Sequence, residues 1–270
     1  MTAPYISVLL AVGAAAGFGS ALLGVGGGFI MVPASYWVIL AMGVSPDTAI
    51  RIAFGTSLLV ILPTAISGTW GHNKRKAIHW KTALILGGCG MVGALAGATL
   101  AARLPGEILE TGFGGLILAV ALWMGLGIVP KLRRDAEGPR EDVGLVAACG
   151  FPIGVVTGLT GIGGGVLKVP LLVLVLSLPM HVAIGTSVAS IIFASLGGII
   201  GYIVNGLGVP GLPPYSIGYI NLPIWLCLAA TSTPMARLGA RAAHALPAKQ
   251  LRYFLIAFMV YTGLRMIGVF

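Results

Sequence analysis

The sequence predicts an all-α polytopic membrane protein made of two inverted repeats of about five transmembrane segments each, with glycine-rich broken or re-entrant helices. Three observations carry that prediction. The first is composition: 57% of the 270 residues are hydrophobic and only 9% are charged, against about 25% charged in a soluble domain. A mean hydropathy of +1.02 agrees, and so few charges cannot cover a water-facing surface. The second is a duplicated glycine element: Gly17 to Pro33 and Gly154 to Pro170 align without a gap at an offset of 137 and are identical at eight of seventeen positions. The third is the distribution of basic residues between the apolar runs.

Taken in order, the apolar segments run over 5–23, 28–42, 48–70, 82–102, 108–130, 143–159, 165–178, 180–204, 217–236 and 250–269. Most reach the roughly 20 residues that cross a hydrocarbon core. Segments 28–42 and 165–178 do not, and both directly follow the triple glycine. A short helix after a glycine break reads as a half-helix, tolerated at membrane depth only when packed in protein or lining a cavity.

The basic residues set the topology. The stretches 71–81, 131–142 and 237–252 hold twelve of the sixteen Lys and Arg, four in each. The positive-inside rule puts them in the cytoplasm, with both termini outside. Loop 205–216, after the third segment of the second half, has no charge, whereas loop 71–81, after the third segment of the first half, has four. The halves 1–130 and 143–270, joined by the cytoplasmic linker 131–142, are therefore expected to be inverted. Leu104-Pro105 against Leu246-Pro247, and Gly97-Ala98 against Gly239-Ala240, extend the correspondence at an offset of 142. Most of the net charge of +9 lies in these loops, which predicts a lipid bilayer as partner and no nucleic acid. No basic stretch precedes the first apolar run, so no cleaved signal peptide is expected.

Inverted repeats broken at matching places direct attention to a binding site at the breaks. Gly24, Gly26, Gly27 and Gly28, with Gly161, Gly163, Gly164 and Gly165, precede helices whose first N–H groups are unpaired and carry partial positive charge. That is an anion site, although glycines also permit tight helix crossing. Lys168 stands in an apolar run where the first repeat has Met31, and a charge at that depth is costly and usually functional. Arg51, Thr56 and Ser57 parallel His181, Thr186 and Ser187, a cation four residues before Gly-Thr-Ser in each half. These groups suit an oxyanion; equally, the hydroxyls could join helices, and Arg51 could anchor at the interface beside Asp47. Arg237 and Arg241 mark the cytoplasmic rim, Asn205 and Asn221 are weaker candidates, and His72, His79 and His244 are expected to be solvated.

The seven acids all lie in loops or first turns, which argues against a cation pump. No HExxH, GxSxG or paired-carboxylate pattern is present; neither an enzymatic activity nor a metal or cofactor is expected. Cys89, Cys149 and Cys227 lack metal-binding spacing. The ligand should be an anion.

The duplicated G-x-G-G-G-x₄-P elements, the Gly-Thr-Ser motifs and the basic central linker together resemble the TauE/SafE family of sulfite and organosulfonate exporters. The resemblance covers essentially the whole chain. It implies a plasma-membrane permease that moves sulfite, sulfoacetate or a related sulfur oxyanion, often outward. It also implies that the two glycine elements form the site backbone, lined by Thr56, Ser57, Thr186 and Ser187. An anion channel or an importer would use the same lining, and a homo-oligomer is compatible with the sequence.

Overall fold

The computed structural model describes residues 3–24, 26–126, 143–242 and 249–269. The linker 131–142 and the Leu246-Pro247 and His244 positions lie outside the described residues. Among the described residues ten helices form where ten apolar segments were expected: α1 (Ala3–Leu23), α2 (Gly28–Ala41), α3 (Pro46–Asn73), α4 (Trp80–Arg103), α5 (Gly106–Gly125), α6 (Val143–Thr160), α7 (Gly165–Leu174), α8 (Met180–Gly206), α9 (Leu222–Ala242) and α10 (Lys249–Met266). Six of them, α1, α3, α4, α5, α6 and α8, are long and apolar enough to cross a membrane.

Several boundaries differ from expectation, and two of them have a clear local cause. Helix α7 stops at Leu174 instead of 178, because Ser177 takes a left-handed conformation (φ 55°) and Leu178 precedes Pro179, which disfavours helix. Helix α9 begins at Leu222 instead of 217. The residues before it form a small antiparallel hairpin, β1 (Ser216–Ile217) with β2 (Ile220–Asn221), turning at Gly218 with φ 55°. Glycine is favoured in such two-residue turns because it accepts positive φ without a side-chain clash.

At the centre lie α3 and α8, the two most enclosed of the six long helices. They run antiparallel: Gly55 meets Tyr202, Gly198 meets Leu58, and Gly68 meets Val188. Around this pair the halves interlock. Helix α4 packs on α6 and α8, and α9 packs on α1 and α3. The contacts use small residues that let backbones approach closely. Gly97 of α4 lies against the Val155 carbonyl of α6, while Gly239 of α9 lies against the Phe18 carbonyl of α1. Gly154 sits on Gly90 and Gly17 on Ser232. These are corresponding residues in the two halves, so the same contacts recur. Helices α5 and α10 pack together, with Gly114 against the Gly263 carbonyl.

Candidate functional site

The two glycine turns fold alike, bond for bond. Gly24, Gly26 and Gly27 have φ of 72°, 94° and 74°; Gly161, Gly163 and Gly164 have 66°, 89° and 71°. This left-handed region costs an L side chain about 1–2 kcal/mol, which accounts for three glycines in each copy. The Gly24 N–H donates to the Ser20 carbonyl (2.8 Å) and the Gly161 N–H to the Thr157 carbonyl (2.9 Å), closing α1 and α6 identically. Gly27 and Gly164 are the N-caps of α2 and α7 and supply no side-chain acceptor to them. The first N–H groups of both short helices thus retain capacity for an anion.

The turns meet in the interior, backbone against backbone. A Cβ at Gly28 would lie 2.5 Å from the Gly161 carbonyl oxygen and 2.6 Å from Cα of Ile162; one at Gly26 would lie 2.8 Å from the Ile162 carbonyl oxygen. Each turn therefore occupies the space directly facing the other. Close packing alone requires Gly28 to be glycine.

The Gly-Thr-Ser motifs take the helix-joining role that the sequence offered beside ligand binding, with partners it did not identify. Thr56 accepts a hydrogen bond from the Asn221 backbone N–H (3.0 Å), and Thr186 accepts one from the His79 N–H (2.9 Å). Gly55 gives room for the Tyr219 carbonyl, and Gly185 for the Ala77 carbonyl. Asn221 and His79 then accept through their side chains from Ile224 N–H (3.1 Å) and Thr82 N–H (3.4 Å), the first turns of α9 and α4. Each motif thus seats the start of the fourth helix of the opposite half. The signal was in the sequence: His79 and Asn221 stand 142 residues apart, the same offset as the Gly97 and Gly239 positions. His79 is half-buried and His72 is buried, with Nε2 3.1 Å from the Ala21 carbonyl oxygen; neither is the solvated loop histidine expected. Their ring nitrogens serve helix ends.

Ser187 donates to the Gly24 carbonyl (3.1 Å), tying α8 to the first glycine turn, whereas its counterpart Ser57 is buried with no hydrogen-bond partner among the described residues. Arg51 is held entirely by protein groups. It pairs with the Asp47 carboxylate at 2.7 Å and donates to the carbonyls of Asp47 (3.0 Å), Leu104 (2.8 Å) and Ala101 (3.3 Å), the last two closing α4. His181, its counterpart, is exposed in the first turn of α8. The structure does not bring Arg51 and His181 into equivalent surroundings. Asn205 binds Gly201 and Thr99 within the bundle.

Lys168 is 0% exposed, one turn into α7, and its Nζ has no hydrogen-bond partner among the described residues. One turn further, Leu172 packs with Leu86 of α4, Val146 of α6 and Ala183 of α8. The described acids stand elsewhere: Asp47 pairs with Arg51, Glu110 accepts from Tyr36, and Glu107 is in the first turn of α5. A cleft of about 300 Å³ opens between α5 and α6, lined by Leu104, Phe113, Leu116, Val156 and Thr160 among others. A smaller cavity of about 10 Å³ continues from Thr160 to Gly164 and Val166. Both linings are mainly apolar, and neither offers a charged side chain to an anion.

A family model described as "Sulfite exporter TauE/SafE" matches residues 9–266. Similar relatives are a "Probable membrane transporter protein" of Haemophilus influenzae, 32% identical over 97% of this chain and 98% of its own. Another, from Methanocaldococcus jannaschii, carries the name "Probable membrane transporter protein MJ0441" and is 31% identical over 97% and 95%. A third, "Probable membrane transporter protein YunE" of Bacillus subtilis, is 30% identical over 74% and 78%. No solved structure matches the chain. With its apolar helices and a family match over nearly its whole length, the chain is a multi-pass membrane transporter belonging to the TauE/SafE family.

Proposed function

We propose that this transporter exports sulfite or a related sulfur oxyanion or organosulfonate across the plasma membrane by alternating access. Lys168 carries the reading. A buried ammonium without a counter-charge is costly, and an anionic substrate provides the missing charge. The first N–H groups of α2 and α7, at Gly28 and Gly165, add donors, and the unpartnered Ser57 hydroxyl is a further one. Ser187 ties α8 to the first glycine turn, Thr56 and Thr186 seat the starts of α9 and α4, Arg51 fixes the end of α4, and the exposed His181 is an accessory hydrogen-bonding group for the anion. In the present conformation the two glycine turns touch, which corresponds to a closed state. The halves 1–130 and 143–270 act as inverted repeats, and rocking one against the other would part the turns and expose Lys168 to each side in turn. The basic stretches 71–81, 131–142 and 237–252 face the cytoplasm, and both termini lie outside. An interior-negative potential favours export of an anion by about 2.3 kcal/mol per charge per 100 mV.

The test is sulfite flux in proteoliposomes, with sulfate, chloride and taurine as competitors and the potential set in both directions. Saturable, sulfite-preferring flux that is lost in Lys168→Met supports the proposal. Folded protein that moves none of these anions, or a Lys168→Met variant that moves sulfite at the wild-type rate, refutes it.

A further inference from the structure

At the end of the bundle where α3 and α9 finish, two cations converge on one aromatic ring. Lys74 Nζ lies 3.7 Å from the centroid of the Trp70 ring, and the Arg237 guanidinium carbon lies 5.1 Å from the same centroid. Trp70 is 47% exposed, so the ring stands at the rim of the bundle. Arg237 is fixed there: its Nε donates to Ser67 Oγ (3.2 Å), which donates to the Thr233 carbonyl (2.7 Å). Arg75 donates to the Arg241 carbonyl (3.2 Å) and ties the two helix ends together.

Each cation is attracted to the ring face, but the two repel each other. No described carboxylate relieves that repulsion, because Asp47, Glu107 and Glu110 all lie at the opposite end, where α3 and α5 begin. Among the described residues, the site therefore holds no negative charge. Its position says where that charge comes from. Trp side chains favour the headgroup level of a bilayer, and basic pockets between helices at that level bind anionic headgroups.

The cluster is not a by-product of the repeat. In the other half the positions corresponding to Trp70, Lys74 and Arg237 are Ile200, Val204 and Leu95, and Ser67 corresponds to Gly197. Four substitutions build the site on one face of the bundle alone.

We propose that Ser67, Trp70, Lys74 and Arg237 form a binding site for the phosphate headgroup of an anionic phospholipid. Lys74 and the terminal nitrogens of Arg237 take the phosphate oxygens, and the exposed Trp70 ring lies along the glycerol and upper acyl region. The same cations could hold a free tetrahedral oxyanion, so the experiment separates the two sources.

Full-length protein in neutral detergent is unfolded thermally with phosphatidylglycerol, with phosphatidylcholine, or with millimolar inorganic phosphate alone. Retained lipid is read in parallel by native mass spectrometry. Phosphatidylglycerol is expected to remain bound and to raise the midpoint by several degrees, with no comparable effect of phosphatidylcholine. The combined Lys74→Gln and Arg237→Gln variant should lose both effects, and Trp70→Leu, a change at an exposed ring, should weaken both. Equal retention of phosphatidylglycerol by wild type and by either variant overturns the proposal. Equal stabilisation by inorganic phosphate without lipid also overturns it and assigns the site to a free oxyanion.

Discussion

Replacing Gly28 with Ala tests whether the two glycine turns close on each other. Gly28 does not have a positive φ, so an alanine there incurs no left-handed penalty, and as the first residue of α2 it gains helix propensity of up to about 1 kcal/mol. Against that gain, the new methyl would sit 2.5 Å from the Gly161 carbonyl oxygen and 2.6 Å from Cα of Ile162. Both neighbours are backbone and cannot rotate away. Overpacking of this kind costs about 1–3 kcal/mol and sometimes more, so clash outweighs propensity and Gly28→Ala should be destabilising. Gly43→Ala is the control. Gly43 has φ 84° and nothing within 4 Å of its added Cβ, so it should lose only the roughly 1–2 kcal/mol of the left-handed region. The assay is thermal unfolding of both variants in the same detergent, with sulfite flux measured beside it. Gly28→Ala should lower the midpoint and suppress flux, whereas Gly43→Ala should lower the midpoint and keep flux. A Gly28→Ala protein as stable and as active as wild type would refute the contact.

Thr56→Val and Thr186→Val keep side-chain shape but leave the N–H of Asn221 or His79 without its acceptor. Each should cost about 1–3 kcal/mol by thermal unfolding, and the two losses should be similar because the contacts are equivalent. Arg51→Met removes charged hydrogen bonds to Asp47, Ala101 and Leu104, each worth about 1.5–3 kcal/mol. It should lower the midpoint more than either threonine variant; a smaller loss would point to a site outside the fold's framework. Lys168→Met places in α7 the residue that α2 carries at Met31. Since exchanging a buried charge for an apolar group of similar volume is often neutral or stabilising, the variant should hold or raise the midpoint while abolishing flux.

Helix number and the sites of the glycine breaks were legible in the sequence because both depend on local chemistry. Apolar runs of about twenty residues and triple glycines at a fixed offset leave few alternatives. Partnership was less legible. Thr56 and Thr186 read equally as ligand hydroxyls or helix joiners because their partners are backbone N–H groups 165 and 107 residues away, and any residue but proline supplies such a group. Arg51 read equally as anion donor or anchor, since nothing local announces that the end of α4 will come to lie beside it. His72 and His79 were misplaced in solvent for a related reason: a basic loop describes its charged neighbours, not the helix ends onto which individual residues fold. The start of α9 was set too early because Gly218, a single turn residue, looks in an apolar run like any other small membrane residue.

The crossing of the fourth helix of each half onto the first helix of the other bears on how the chain is made. Thr231 Oγ1 donates to the Leu10 carbonyl across 221 residues of sequence. At about 5–20 residues per second of synthesis, α1 waits on the order of ten to forty seconds for the surface that will cover its glycine face. Helix α4 waits for α6 in the same way, so the first half has no finished surface when its own last residue leaves the ribosome. Maturation is thus a threading problem in time. Slowing translation across 131–142 should prolong the interval in which the first five helices are held by the insertion machinery, and two separately expressed halves should be stable only when made together.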